Sequence, residues 1–264
     1  MPSLEPIVLY DIESSLPTKV WSPNTWRIRY TLNYKQLPYR TEWVEFSDIV
    51  TLCKHIGAEP TTNDDGSQTH TLPVILDPNT NRIVSDSVKI AYYLDGQYPS
   101  TPRVIRFPTD GLQVNVLQVA FVDAFRKHAM APLWQFIVPR VAQVLTGESA
   151  EYFRRTRELE FGKRLEDMIP SYWSEDWQRE WGKVRMGFET VDQWFTKTGD
   201  GGSRADKWIM GETISFGDFV IGGYLKWVKT LAGEDSKEWQ DVKSWCGGRW
   251  GRLSEQLVEY ESLR

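Results

Sequence analysis

Two hydrophobic periods alternate along the first hundred residues. Ile7-Val8-Leu9-Tyr10 is a short continuous apolar run, as a buried strand shows. From Asn24 to Leu37 the period becomes helical, with Trp26 and Tyr30, and Ile28 and Leu32, four apart. Tyr39 to Glu45 alternates polar and apolar side chains, which predicts a strand. Ile49 to Ile56 predicts a short helix, and the polar stretch from Gly57 to Gln68, turning at Asn63-Asp64-Asp65-Gly66, predicts a mobile loop. Leu72 to Leu76 and Arg82 to Val84 flank Asp77-Pro78-Asn79-Thr80-Asn81, a hairpin by its turn residues. Ser85 is expected to cap a helix reaching Gly96, with Val88, Ala91 and Leu94 on one side.

The resulting order is βαβαββα. A βαβ unit followed by a ββα unit is the thioredoxin-like arrangement, with mixed strand directions. Past Tyr98-Pro99-Ser100-Thr101-Pro102 the strand signals fade. Helices are predicted at 112–130, 148–168, 176–197, 215–231 and 251–260, with Pro132, Pro139 and Pro170 as punctuation and a flexible loop at Thr198 to Ser203. The fold class is therefore α/β plus all-α: a thioredoxin-like domain at 1–96, a linker at 97–109 and an all-helical domain at 110–264. Within the helical part, Ser215 and Asp218 have the spacing of a capping box, with Ile214 and Phe219 as its hydrophobic staple. Those residues are read as structural.

Composition narrows the function classes. Of 264 residues, 41% are hydrophobic and 25% charged, as in a water-soluble globular chain. No apolar run is long enough to span a bilayer, and the first residues lack the pattern of a secretory signal. A net charge of −5 lacks the basic face that nucleic acid requires. Cys53 and Cys246 are far apart and form no CxxC, and His55, His70 and His128 have unrelated spacings, so neither a disulfide framework nor a metal site is expected. A reducing cytoplasm fits. The thirteen tryptophans are mainly expected in the core, with some surplus for a cavity wall that takes flat apolar ligands.

Three short stretches carry candidate chemistry. Ser22-Pro23-Asn24-Thr25-Trp26 follows a strand and opens a helix. Serine at the cap and proline at the first helical position is a preferred helix start, and the same terminus favours an anion such as a thiolate. Leu72-Pro73 stands where a strand begins after a polar loop. It is read either as an ordinary trans proline closing the loop, or as a cis bond that leaves the Leu72 peptide free to pair with an extended peptide. Ser85-Asp86-Ser87 starts a helix and serves as a cap, or as a seat for both charges of an α-amino acid head group.

Taken together, Ser22-Pro23 with its helix, Thr71-Leu72-Pro73-Val74, Val84-Ser85-Asp86-Ser87 and the Ser215-Phe216-Gly217-Asp218 box resemble a glutathione transferase. Ser22 to Arg27, Thr41-Glu42-Trp43-Val44-Glu45 and the long helical part look most like the fungal Fua-type transferases, which are similar to bacterial β-aryl etherases. The resemblance implies glutathione as co-substrate with no metal, a hydrophobic ligand site at the domain junction, and a cytoplasmic homodimer. By position it implies that Ser22 holds the sulfur, with Thr25 and Asn24 next in line. Leu72 and Pro73 would hold the cysteinyl backbone, Asp86 and Ser87 the γ-glutamyl head, and Lys54 or His55 the glycyl carboxylate. Trp21, Asn24, Met130 and Trp134 are the candidates for the hydrophobic ligand. Cys53 is expected to be a small buried apolar residue. Serine stands at Ser22 where redox relatives place cysteine, which disfavours disulfide exchange. Three functions follow as expectations: thiolate attack on aromatic electrophiles, peroxides or aryl ethers; a carrier, or ligandin, for plant polyphenols and similar aromatics; or a regulatory protein without catalysis.

Overall fold

The computed structural model describes residues 4–63, 65–105, 114–197 and 208–264. The flexible loop expected at 198–203 and the last part of the expected linker, 106–109, lie outside the described residues.

The N-terminal part is built on a four-stranded sheet. Its strands are β1 (Ile7–Ile12), β2 (Tyr39–Val44), β5 (Val74–Asp77) and β6 (Arg82–Ser85), in the order β2-β1-β5-β6. β1 is parallel to β2, and β5 is antiparallel to both β1 and β6, which is the mixed pattern the element order predicts. β1 is buried at every position, because helices or strands cover it on all sides. Helix α1 (Pro23–Tyr34) links β1 to β2, α2 (Ile49–Ile56) follows β2, and α3 (Ser87–Gln97) follows β6.

The polar stretch expected as a loop contains a small hairpin, β3 (Thr61–Thr62) and β4 (Gln68–Thr69). The cap of α3 is Asp86, at φ 72°, and not Ser85; its carboxylate accepts the Val88 and Lys89 N–H groups at 2.9 and 3.1 Å. Ser85 remains in the strand.

The C-terminal part is helical: α4 (Val114–Phe125), a π turn at Arg126–Met130, α5 (Ala131–Val144), α6 (Gly147–Phe161), α7 (Glu175–Lys197), α8 (Phe216–Ala232) and α9 (Lys237–Gln256). The sequence reading missed α5 and most of α9. Pro132 directly follows the π turn, whose altered hydrogen-bond register accommodates it, and Pro139 is carried inside the helix. Burial of Leu133, Phe136, Ile137 and Val141 offsets the lost hydrogen bond. α9 is two helical pieces across a kink, where Cys246, Gly247 and Gly248 have left-handed backbone. The capping box is present at the start of α8. Asp218, fully buried, accepts from the Ser215 N–H and hydroxyl at 2.8 and 2.7 Å and from the Ile209 N–H at 2.8 Å.

One packing contact positions the site. α8 is the most extensive packing partner of α1. A Cβ on Gly223 would stand 2.5 Å from the Pro23 carbonyl oxygen, so only glycine lets the two backbones approach this closely. Behind α1, the buried Arg29 pairs with the buried Asp11 of β1 at 2.8 Å.

Candidate functional site

Ser22 ends the β1–α1 loop with extended backbone, φ −68° and ψ 126°, and is the cap residue of α1. Its carbonyl accepts the Trp26 N–H at 3.1 Å and the Thr25 hydroxyl at 3.1 Å. Its own side chain makes no cap hydrogen bond. The residue is only 2% exposed, yet it forms part of the wall of a cavity of about 470 Å³. A capping serine normally spends its oxygen on the helix's free N–H groups. Here the Ser22 side chain caps none of those N–H groups. Those N–H groups and the helix dipole favour a negative charge at the same place.

The cavity lies between the sheet part and the helical bundle. Trp21, Ser22, Pro23 and Asn24 form one side, with Leu72, the hairpin residue Thr69, and His70 and Thr71 just after it beside them. Trp134, Val138 and Val141 of α5 face them, with α6 and α8 completing the enclosure through Tyr152, Thr156, Arg157, Tyr224 and Trp227 among others. The wall is mainly apolar with a few polar groups, the usual make-up of a small-molecule site.

The other expected residues fall in different places. The Leu72–Pro73 bond is cis, and Leu72 is on the wall while Pro73 is buried just before β5. Asn24 is exposed and accepts from Arg27 Nη2 at 2.7 Å. Ser87 opens α3, and its hydroxyl accepts from Arg27 Nη1 at 3.3 Å. Asp86 and Ser87 are not wall residues, so the cavity and the start of α3 are separate regions linked by Arg27. Thr25 is fully buried and its hydroxyl is committed to Ser22. Lys54 and His55 are exposed on the last turn of α2, whereas the α2 residues on the wall are Ile49 and Val50 at its other end.

Met130 departs from its expected place. It is fully buried at the end of the π turn and does not reach the wall, whereas Trp134, four residues on, does. The π turn breaks the regular i,i+4 alignment on which that pairing depended.

Several wall residues were missed. Tyr152, Thr156 and Glu160, and Phe153, Arg157 and Phe161, form two i,i+4 rows on α6. That spacing was the available signal, and it was read only as helix. Arg27, which is buried off the wall, was read only as part of the Fua-type resemblance, because a charge inside a helix ordinarily marks a solvated face. Neither cysteine is on the wall. Burial raises the Cys53 thiol above its usual range and pushes Cys246 up to about 11. Among the described residues, no group of three or more His, Cys, Asp or Glu is placed to hold a metal ion, and no helix is long and apolar enough to cross a membrane.

Comparison with known proteins agrees with this layout. Residues 21–97 match the model of the glutathione S-transferase N-terminal domain, and residues 116–260 match that of the C-terminal domain. The chain belongs to the glutathione S-transferase family. A solved glutathione S-transferase of Ceriporiopsis subvermispora, in complex with glutathione, is 41% identical. The match covers 98% of this chain and 99% of that one, with a TM-score of 0.89. Glutathione transferase GSTFuA3 of Phanerochaete chrysosporium is 39% identical over 99% of this chain and 100% of its own, with a TM-score of 0.88. The curated glutathione S-transferase-like protein ustS of Aspergillus flavus is 28% identical over 262 residues, 97% of this chain and 91% of that protein. This transferase is thus related to the fungal Fua-type enzymes, and it has their two-part architecture.

Proposed function

We propose that this transferase binds glutathione with its sulfur at Ser22 and uses the resulting thiolate as a nucleophile. The observation that carries the reading is the uncommitted Ser22 hydroxyl, held at a helix N-terminus on the wall of an apolar cavity. The glutathione complex of the 41% identical Ceriporiopsis transferase supports it. In this reading Leu72 pairs with the cysteinyl backbone, Pro73 fixes the Leu72 peptide, and Asp86 and Ser87 take the γ-glutamyl head. Donation from the Ser22 hydroxyl and the α1 terminus stabilises the thiolate, and the thiol proton leaves to solvent. The sulfur then forms a bond to an electrophilic carbon or peroxide oxygen as the leaving group departs.

Trp21, Trp134 and Trp227 on the wall suit a flat hydrophobic partner. We assign the second substrate to aromatic electrophiles, hydroperoxides or aryl ethers, and the protein to a cytoplasmic homodimer. The same apolar wall favours a second reading, a carrier of polyphenols and similar aromatics with little turnover. Retention on immobilised glutathione tests the premise that both share, and a protein that flows through contradicts it. Steady-state assays with an aryl halide, a hydroperoxide and a model aryl ether then separate enzyme from carrier. If no phenolic compound raises the melting temperature, the carrier reading fails.

A further inference from the structure

Among the described residues on the cavity wall, Arg157 of α6 is the one arginine or lysine. Its guanidinium donates from Nη1 to Glu160, the next wall residue along the helix. Among the described residues its Nε and Nη2 donate to nothing. Those two N–H groups are parallel and form the edge of the fork that takes a carboxylate in two bonds at once. The guanidinium lies over the ring of Phe153, 5.5 Å from the centroid, and Phe153 is itself a buried wall residue. The Arg157 side chain is 33% exposed, against 45% for Glu160. Its stem thus covers apolar wall while its head reaches the rim, as long cationic side chains do where an apolar surface meets water. A solvent-exposed pair such as Arg157–Glu160 contributes little, so it leaves the arginine open to a better partner.

We propose that the second ligand of the cavity is an aromatic acid, a flat ring bearing a carboxylate, and that Arg157 is the residue that selects it. The inference rests on the reading that this cavity takes the hydrophobic partner of glutathione. The ring lies against the apolar wall made by Trp21, Trp134, Val138 and Trp227, and the carboxylate takes the free Nε–Nη2 edge. Glu160 keeps Nη1 and holds the fork in place. The long-range field does not favour such a ligand, because the chain carries a net charge of −5. The preference therefore comes from this one local fork. The neighbouring Thr156 hydroxyl cannot supply it, since it is bonded to the Tyr152 and Phe153 carbonyls at 3.0 Å each. An aromatic amine would face Glu160, the more hydrated member of the pair, and would be repelled by Arg157.

The test is calorimetric binding of trans-cinnamate, its methyl ester and cinnamylamine to the full-length protein near neutral pH, where the acid is ionised. The wild type is expected to bind the acid about tenfold more tightly than the ester, and the amine most weakly. Arg157→Gln should bring acid and ester to within about twofold of each other by weakening the acid alone. Arg157→Lys keeps the charge but not the fork, and should leave a ratio of about threefold. Glu160→Gln removes the like charge beside the acid and should tighten its binding about threefold. Arg157→Met, which keeps the stem over Phe153, replaces the Gln variant if that variant does not fold. Equal affinity for acid and ester in the wild type overturns the proposal, as does a ratio that survives in Arg157→Gln. A weaker acid in Glu160→Gln overturns the shared fork. If Arg157→Gln weakens glutathione about tenfold and leaves the acid-to-ester ratio alone, the carboxylate at Arg157 is glutathione's own and the proposal falls. A protein that binds the ester but no acid more tightly loses this inference and keeps the hydrophobic site. One that binds none of the three loses both.

Discussion

Replacing Ser22 by alanine separates the two jobs that a serine at a helix start can do. The structure shows no cap hydrogen bond from its side chain, so the usual penalty of about 1 kcal/mol for losing a cap is not expected. The melting temperature should therefore stay close to that of the wild type. The chemical effect is much larger. A free thiol ionises near about 8.5, and one hydrogen bond to an anion contributes about 1.5–3 kcal/mol. At about 1.4 kcal/mol per pH unit, losing that bond raises the bound thiol by roughly one to two units. The α1 terminus keeps its own contribution of about 0.3–1 kcal/mol in both proteins. Near pH 6.5, for a wild-type bound thiol about half ionised there, the ionised fraction, and with it kcat/KM for an aryl halide, should fall about five- to fiftyfold. Near pH 9.5, where the thiol is ionised in both, the gap should close to about twofold. Activity unchanged at every pH would refute the reasoning and move the sulfur elsewhere. Asn24 would then be the next residue to test, since it is on the cavity wall while the Thr25 hydroxyl is committed to the Ser22 carbonyl. A loss equally deep at high pH would show that Ser22 does something other than stabilise a thiolate.

Further substitutions probe the frame around the site. Gly223→Ala would place a methyl group 2.5 Å from the Pro23 carbonyl oxygen, a backbone atom with little room to yield. Urea unfolding should show a loss of about 1–3 kcal/mol, and no loss would mean that α8 and α1 are not so closely packed. Asp11→Leu leaves Arg29 buried without its carboxylate and should cost about 3–5 kcal/mol. The double variant with Arg29→Met should cost less than Asp11→Leu alone, and simple additivity would contradict the pairing. Burial, partly offset by its hydrogen bonds, lifts Asp218 to about 6 from its usual 3.8. The folded state therefore holds that proton more tightly than the unfolded chain does. Its stabilising contribution is full below about pH 4 and is lost as pH rises through about 6. The stability advantage of wild type over Asp218→Asn, followed by thermal melts, should shrink across that window, and a constant or growing advantage would contradict the shift. Trp134→Ala should weaken binding of an aromatic ligand, read by fluorescence, while leaving glutathione affinity within about twofold. An equal loss of both would place Trp134 in the glutathione cradle instead.

Much of the frame was legible because local pattern and tertiary role agree in the N-terminal part. β1 reads as a buried run because it is covered on all sides. α2 spans Ile49–Ile56 as its pattern predicts, and the capping box at α8 follows from residue spacing alone. The failures have physical causes. β3 and β4 are two residues each, too short for alternation to register. α5 carries two prolines that ordinarily end helices, and its tertiary burial overrides them. The kink in α9 is built from left-handed residues that read as a stop. Asp86 caps α3 with a positive φ, a choice between two adjacent cap-forming residues that local pattern does not settle. Two cavity-wall positions, Ser22 and Leu72, were legible because helix-start and strand-start residues mark them. The α6 rows were hidden because their meaning depends on which elements meet in space.

The account turns on where the glutathione sulfur sits, and a crystal structure of the wild-type protein with glutathione bound decides that directly. The sulfur should lie within about 3.5 Å of the Ser22 hydroxyl, with the glutathione cysteinyl backbone paired to Leu72. A well-ordered glutathione whose sulfur lies away from Ser22, or which occupies another surface of the chain, would contradict the account at its centre.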